Sequence, residues 1–301
     1  MTKKILITGG TVFVSKFVAS YFALRNYDVY VLNRGNHQQV EGVTLLKGDR
    51  HALGDLLKGY HFDAVFDVTA YDQKDIRDLL QGLDSFDDYI LISSSAVYPE
   101  TLLQPFAEEQ PLGLNSFWGS YGTDKIAAEQ YLLQEVEQAY ILRPPYLYGP
   151  MQNVYREPFV FECALKNRPF YLPNDGTMKL QFFHVDDLCK LMEIIISEHL
   201  DDHIMNVGNN EIVDINQFVE LCYQVTGVPL VKKYVTDHLD QRDYFSFYDY
   251  EYVLDVTKQN QYLPFQKDLL TGLKESYQWY LDHLDDIVRK NYLEFIDQKF
   301  N

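Results

Sequence analysis

Tyr121 and Lys125 stand four residues apart in Tyr121-Gly122-Thr123-Asp124-Lys125, and Ser94 lies in the serine run that follows the apolar stretch Tyr89-Ile90-Leu91-Ile92. On a helix, a spacing of four places the phenol and the ammonium on one face. A phenol titrates near ~10, so one that works as a base at neutral pH needs a fixed positive charge beside it. A serine hydroxyl next to such a pair can hydrogen-bond the alcohol or carbonyl oxygen whose proton is moved. With 24 tyrosines in the chain, a Tyr and a Lys four apart are more often a half-buried aromatic beside a solvated lysine. The elements that position them must decide.

Lys3-Lys4-Ile5-Leu6-Ile7 is a short apolar run of buried-strand type, Thr8-Gly9-Gly10-Thr11 a glycine turn, and Phe13 to Leu24 an apolar-periodic helix. Strand, turn and helix in this order let the backbone approach a pyrophosphate that rests on the free N–H groups of the helix. Gly9, Gly10, Thr11, Phe13 and Val14 are the expected contacts. A second strand, Asp28 to Leu32, ends in Asn33-Arg34-Gly35, where the adenosine ribose of a dinucleotide would lie. An acidic residue there would bind the 2′-hydroxyl, whereas Asn33 and Arg34 suit a 2′-phosphate. The expected cofactor is therefore NAD or NADP, with Arg34 leaning towards NADP; a solvated loop arginine is the alternative reading.

Strand and helix patterns alternate through residue 150, which predicts an α/β fold with a doubly wound parallel sheet and ligands at the carboxyl ends of its strands. Beyond Pro150 the pattern gives a helix over Pro158 to Asn167, a strand over Phe170 to Leu172, a helix from Asp186, a strand ending at Asn206 and a helix from Asn216 to Thr226. From Lys267 onward it predicts one long helix, with Tyr277, Leu281, Leu284, Val288, Tyr292 and Ile296 on one face.

Gly48-Asp49-Arg50, Val65 to Ala70, Leu142-Arg143-Pro144-Pro145-Tyr146-Leu147-Tyr148-Gly149-Pro150, Gln181 to Leu188 and Asn206-Val207-Gly208 follow in order. Together with the glycine turn, the serine run and the Tyr/Lys pair, they make the chain, to about Tyr280, resemble the extended short-chain dehydrogenase/reductases. These are NAD(P)-dependent enzymes that include nucleotide-sugar epimerases and dehydratases. The resemblance implies that Ser94, Tyr121 and Lys125 are catalytic, with Lys125 also on the nicotinamide ribose. It places Asp49 and Arg50 at the adenine, Val68, Thr69 and Ala70 under the cofactor, and Pro144 beside the nicotinamide. It further implies a Rossmann dinucleotide-binding domain over 1–150 and 181–207, with the chain leaving the sheet at Pro150 and returning near Gln181. A smaller, discontinuous α/β substrate-capping domain would cover 151–180 and 208–301. The partners it implies are a nucleotide-sugar substrate and a second copy of the chain, in a homodimer through the helix of Tyr121 and its neighbour.

A nucleotide sugar also needs cations, and Arg143, Arg156, Lys166, Arg168 and Lys179 are the candidates. Arg143 and Arg156 lead, because planar bidentate contact suits phosphate, and Ser95 and Tyr146 join them as expected substrate contacts. The chain departs from the family pattern at Val12 and Ser15, which replace turn glycines, at Asn33, and at Leu180-Gln181. This combination resembles a divergent branch that also contains chloroplast stem-loop-binding proteins. Ser95 and Ala96 occupy the places where dehydratases carry Asp-Glu, so elimination of water lacks its acid/base pair. Three readings remain: a nucleotide-sugar epimerase, an NADPH-dependent reductase of a carbonyl substrate, and a non-catalytic RNA-binding protein of the same fold.

Composition weighs against the last. Lys and Arg number 26 against 44 Asp and Glu, a formal charge of −18, and no basic stripe is available to exchange for phosphate counterions. No nucleic-acid partner is expected. No apolar run of signal-peptide length precedes the glycine turn and no segment approaches membrane-spanning length, so a cytoplasmic protein without a membrane partner is expected. Cys163, Cys189 and Cys222 are odd in number and far apart, which argues for buried small residues and against a disulfide framework or zinc site. The eight histidines lack metal-ligand spacing, so no metal is expected.

Overall fold

Ile5, Leu6 and Ile7 have no exposed surface, so β1 (Lys4–Thr8) can only be an interior strand covered on both faces. In the computed structural model, which describes residues 2–300, it lies inside a parallel sheet. Its companions are β2 (Asp28–Asn33), β3 (Val43–Lys47), β4 (His61–Asp67), β5 (Ser85–Ile92), β6 (Ala139–Arg143) and β10 (Ile204–Asn206), in the order β10-β6-β5-β4-β1-β2-β3. Alternation along β1 sends Ile5 and Ile7 to one face, against α1 (Phe13–Leu24) and α5 (Val185–Glu198). Leu6 goes to the other, with α2 (Gln73–Gly82) and α3 (Ser120–Glu135). The fold is the doubly wound Rossmann type that the alternating pattern predicts. Chain order reverses between β1 and β4, which opens a cleft at their carboxyl ends.

The chain leaves this sheet earlier than expected, after Arg143. Two consecutive prolines, Pro144 and Pro145, offer no ladder N–H. The next strand, β7 (Tyr146–Tyr148), joins β9 (Lys179–His184) and β11 (Ile212–Asp214) in a separate sheet ordered β11-β9-β7. Gln181 therefore belongs to that sheet and not to the central one; the return comes with α5 and β10. A parallel pair, β8 (Phe170–Pro173) with β12 (Lys232–Val235), is adjacent. Together with α4 (Glu157–Leu165), α6 (Ile215–Thr226) and α8 (Leu269–Asp282) these strands enclose a second core rich in aromatic rings, among them Phe159, Phe182, Phe218 and Phe247. The short α7 (Thr257–Tyr262) packs by β10.

The long carboxyl-terminal helix is a correction. α8 ends at Asp282, and α9 (Tyr292–Phe300) starts afresh. Asp282, Asp285 and Asp286 would place negative charge against the negative end of the helix dipole, and Val288 is drawn instead into a bridge with Val154. Leu284 and Val288 are 41% and 62% exposed, so the apolar stripe has no partner there. Among the described residues, no helix is long and apolar enough to cross a membrane.

Candidate active site

A Cβ at Gly122 would lie 2.3 Å from the Ala96 carbonyl oxygen, so glycine is what lets the first turn of α3 dock on the end of β5. Ser94 caps the 3-10 turn Ser95–Val97, its Oγ accepting from the Ala96 N–H at 3.2 Å. In this docking the Ser94 hydroxyl faces the Tyr121 phenol closely enough to pull against the rise of its pKa. Ser94, Tyr121 and Lys125 line one cavity of about 190 Å³ together with Val14, Val68 and Pro144.

Lys125 Nζ donates to the carbonyls of Ala70, at 2.6 Å, and Ile92, at 2.9 Å. Burial brings its pKa down to about 8, against the pull of Asp67 and Glu129. The ammonium lies 5.9 Å from the Tyr121 ring centre. Burial, and to a lesser degree Tyr71, holds the Tyr121 phenol above its ordinary value against the opposing influence of the Ser94 hydroxyl. The expected lowering of the phenol by its helical neighbour is not what this arrangement produces. The ammonium is committed to two carbonyls, and burial keeps the phenol protonated.

Across the cleft, Gly9 and Gly10 adopt φ of +92° and +87°, and a Cβ on Gly10 would meet Val31 at 2.7 Å. The two replaced glycines leave the turn intact. Val12 sits at φ −135°, extended backbone open to any residue, with its side chain half exposed. Ser15 fits under Gly9 and donates its hydroxyl to the Val12 carbonyl at 3.0 Å. The first turn of α1 has no acidic residue and no side-chain cap, so its free N–H groups and positive end suit an anion.

Beside this turn, Gly9, Asn33, Arg34, Asp49, Arg50 and Thr69 line a cavity of about 330 Å³. Asn33 is tied down: its Nδ2 donates to the Gly9 carbonyl at 2.6 Å and its Oδ1 accepts from the Gly35 N–H at 2.8 Å. Arg34 is exposed. Arg50 donates to the buried Asp67 at 2.7 Å, and Asp67 also accepts from Thr8 and Tyr89. Burial pushes the Asp67 carboxyl up, and Arg50 and these hydroxyls more than reverse that, so it is held below its ordinary value. Thr11 and Phe13 line a different cavity, of about 420 Å³, with Lys16, His37 and Trp279. Gly10 packs behind the turn on Val31, and Ala70 offers only its carbonyl. The cavity lined by Gly9, Asn33 and Asp49 and the one lined by Val14, Lys125 and Pro144 both border the glycine turn and the start of its helix, an arrangement that fits the two halves of a dinucleotide.

The next cavity, of about 280 Å³, carries Arg156, Arg242 and Lys290 with Trp118, Tyr146 and Tyr248, and among the described residues no carboxylate lines it. Arg156 donates to the Leu147 carbonyl and lies over Tyr146; Arg242 donates to the Ser246 carbonyl and lies 4.5 Å over Tyr248. Burial and then Arg242 lower the pKa of Lys290. In a chain of net charge −18, three cations without an acid give this cavity a local positive charge.

Arg143 is a correction. It was expected at a substrate phosphate, but it is buried in an ion pair with Glu129 at 2.6 Å and also donates to Tyr98. Lys166 and Arg168 pair with Glu162 and Asp297, and Lys179 is exposed on β9, outside the cavity. Ser95 is buried, with its N–H on the Pro144 carbonyl. Sequence reasoning missed Arg242, Lys290, Trp118 and Tyr248. The aromatic run from Tyr244 to Tyr252 was the available signal.

Residues 5–208 match the family model described as NAD dependent epimerase/dehydratase family. The chain belongs to this family. Within and around this epimerase/dehydratase family, it is 26% identical to the chloroplast stem-loop binding protein of 41 kDa b of Arabidopsis thaliana, over 91% of this chain and 78% of that protein. It is 24% identical to the UDP-glucose 4-epimerase of Corynebacterium glutamicum, over 75% of this chain and 82% of that one. The dTDP-glucose 4,6-dehydratase of Bacillus anthracis, solved in complex with NAD, shares the fold at a TM-score of 0.76 and 20% identity, over 95% and 99% of the two chains.

Proposed function

We propose that this member of the family is an NAD(P)-dependent epimerase of a nucleotide-activated sugar. The observation that carries the reading is the meeting of Ser94, Tyr121 and Lys125 between a glycine-turn cleft and a cation-lined pocket free of carboxylates. Trp118, whose ring centre is 6.3 Å from that of Tyr121, joins the two. In this reading the central sheet and its helices, over 1–143 and 185–207, hold the dinucleotide, and 144–184 with 208–301 hold the substrate. Gly9, Thr11, Phe13 and Val14 would take the pyrophosphate, Asp49 the adenine, and Lys125 and Pro144 the nicotinamide end. Asn33 is occupied within the protein, and exposed Arg34 favours a 2′-phosphate, hence NADP.

The nicotinamide, when bound, supplies a reversible hydride acceptor. Arg156, Arg242 and Lys290 hold the diphosphate of the substrate and so aim a sugar hydroxyl at Tyr121. Ser94 fixes that oxygen by a hydrogen bond, and Tyr121, once ionised beside Lys125, takes the hydroxyl proton as the alcohol is oxidised and returns it when the ketone is reduced. Lys125, anchored on Ala70 and Ile92, sets the charge beside the phenol. A sugar ketone that turns in the site and is reduced on its other face leaves as the epimer.

Calorimetric titration with NAD, NADH, NADP and NADPH, followed by incubation with UDP-glucose and dTDP-glucose, tests the reading. Stereochemical inversion without net NADPH consumption supports an epimerase. Net consumption supports a carbonyl reductase, which the neutral Tyr121 phenol also suits. Binding of none of the four dinucleotides refutes both. The stem-loop-binding relative favours an RNA-binding alternative, against which the charge of −18 weighs; Tyr121→Phe would abolish turnover and leave RNA binding unchanged.

A further inference from the structure

Tyr71 is 59% exposed, a large aromatic side chain at the mouth of the cavity that holds Ser94, Tyr121 and Lys125. Its exposure belongs to the ring, because the backbone around it is held on both sides. The Ala70 carbonyl accepts from Lys125 at 2.6 Å, and the Tyr71 N–H donates to Asp75 at 2.7 Å. Asp75 is itself fixed at the start of α2, where its own N–H is capped by Asp72. From this anchored position the ring centre lies 5.3 Å from Lys125 Nζ and 6.3 Å from the ring centre of Tyr121. Trp118 stands at the same 6.3 Å from Tyr121. Two rings thus flank the candidate acid, one from the loop after β4 and one from the segment before α3.

Resting on the epimerase/reductase reading above, we propose that Tyr71 is a specificity-determining residue, an aromatic wall against which the C–H face of the reacting sugar ring lies. The chemistry fits a pyranose, which presents axial hydrogens on one face and hydroxyls at its rim. An aromatic face accepts the first, while Ser94 and Tyr121 engage a hydroxyl at the second. The wall acts on the sugar and on neither the nucleotide nor the dinucleotide. The diphosphate end is served by Arg156, Arg242 and Lys290 in the neighbouring cavity.

The test compares Tyr71→Ala and Tyr71→Phe with the unaltered protein, using UDP-glucose and UDP as calorimetric probes and measuring dinucleotide affinity in parallel. Exposed substitutions of this kind disturb folding little, and retained dinucleotide binding confirms an intact fold. Tyr71→Ala is expected to weaken UDP-glucose binding about tenfold and raise KM more than it lowers kcat. UDP affinity should move by less than about twofold, and Tyr71→Phe should keep the affinity for UDP-glucose because the ring suffices. Equal loss of UDP and UDP-glucose, an unchanged UDP-glucose affinity, a loss of dinucleotide affinity, or a Phe variant as weak as the Ala variant would each overturn the proposal. If the unaltered protein binds neither UDP-glucose nor UDP, the nucleotide-sugar reading itself falls and the wall falls with it.

Discussion

Glu129 and Arg143 face each other at 2.6 Å inside the protein, their side chains only 1% and 3% exposed. Arg143 also donates to Tyr98, which bonds Asn206, and the second Glu129 oxygen receives Ser93. One pair thereby clamps α3, which carries Tyr121 and Lys125, to the ends of β5, β6 and β10. Burial opposes the Arg143 charge, and Glu129 and Tyr98 more than compensate, so its pKa stands above the ordinary value. Glu129→Gln leaves a buried cation without its counter-charge and is expected to cost about 3–5 kcal/mol. The pairing of Glu129→Gln with Arg143→Met should recover much of that loss in urea melts. Equal stability of the single variant and the parent would show that the pair carries no weight.

Lys125 gives the site a pH limit. The folded pKa is about 8 against 10.5 for the free side chain, so the ammonium beside Tyr121 is lost above about pH 8. The ratio kcat/KM is expected to fall above that pH, while Tyr121→Phe should remove turnover at every pH. For stability the sign is opposite. Between about 8 and 10.5 the unfolded chain binds a proton the folded one has released, so this group's contribution rises with pH across that window. A rate profile level through pH 10 would exclude a role for the Lys125 charge.

Gly122→Ala should separate folding from chemistry. Alanine is a better helix former, yet its Cβ would sit at 2.3 Å from the Ala96 oxygen, so α3 must back away from Ser94. A displacement near 1 Å at a reacting group is expected to lower kcat/KM about 100-fold with only a small change in Tm. Unchanged kinetics would show that the contact between Tyr121 and Ser94 does not depend on this close approach.

Glu157 is 1% exposed in the second core, and neither of its carboxylate oxygens has a hydrogen-bond partner. Burial holds its pKa above the usual 4.5, with Arg156 opposing. As pH rises above 4.5 the unfolded chain ionises this group and the folded one resists, so stability falls with pH until the folded pKa is passed. Glu157→Gln should flatten that slope and raise Tm at pH 7. Denaturant melts at pH 4.5 and 7 measure it; an identical slope in the variant would place the proton elsewhere.

The central sheet and glycine turn were legible because their rules are local: unbroken apolar strands, a Gly-Gly turn, and a Tyr and Lys on one helical face. The Val12 and Ser15 departures could be read only as missing glycines, because sequence shows which residue fills a place but not where its side chain goes. Arg143 was misread for a related reason. A cation in a substrate-facing segment reads as a phosphate ligand unless its partner is known, and Glu129 lies in another element. Arg242 and Lys290 escaped notice because irregular segments with no periodicity carry them. The helix break after Asp282 was masked by a stripe that continued on paper past a cluster of acids that a helix end does not favour.

The placement of β10 beside β6 has a bearing on how this protein is made. β6 ends at Arg143, yet the strand that covers its open edge begins at Ile204, after α4, β7, β8, β9 and α5 have been laid down. A ribosome releasing the chain in order exposes a wholly buried type of strand as a free edge for the time taken to synthesise everything between. The stage most open to misassembly is therefore birth. Nascent chains stalled between these two strands should be the ones that chaperones hold, and a slower rate of elongation should lengthen that exposure.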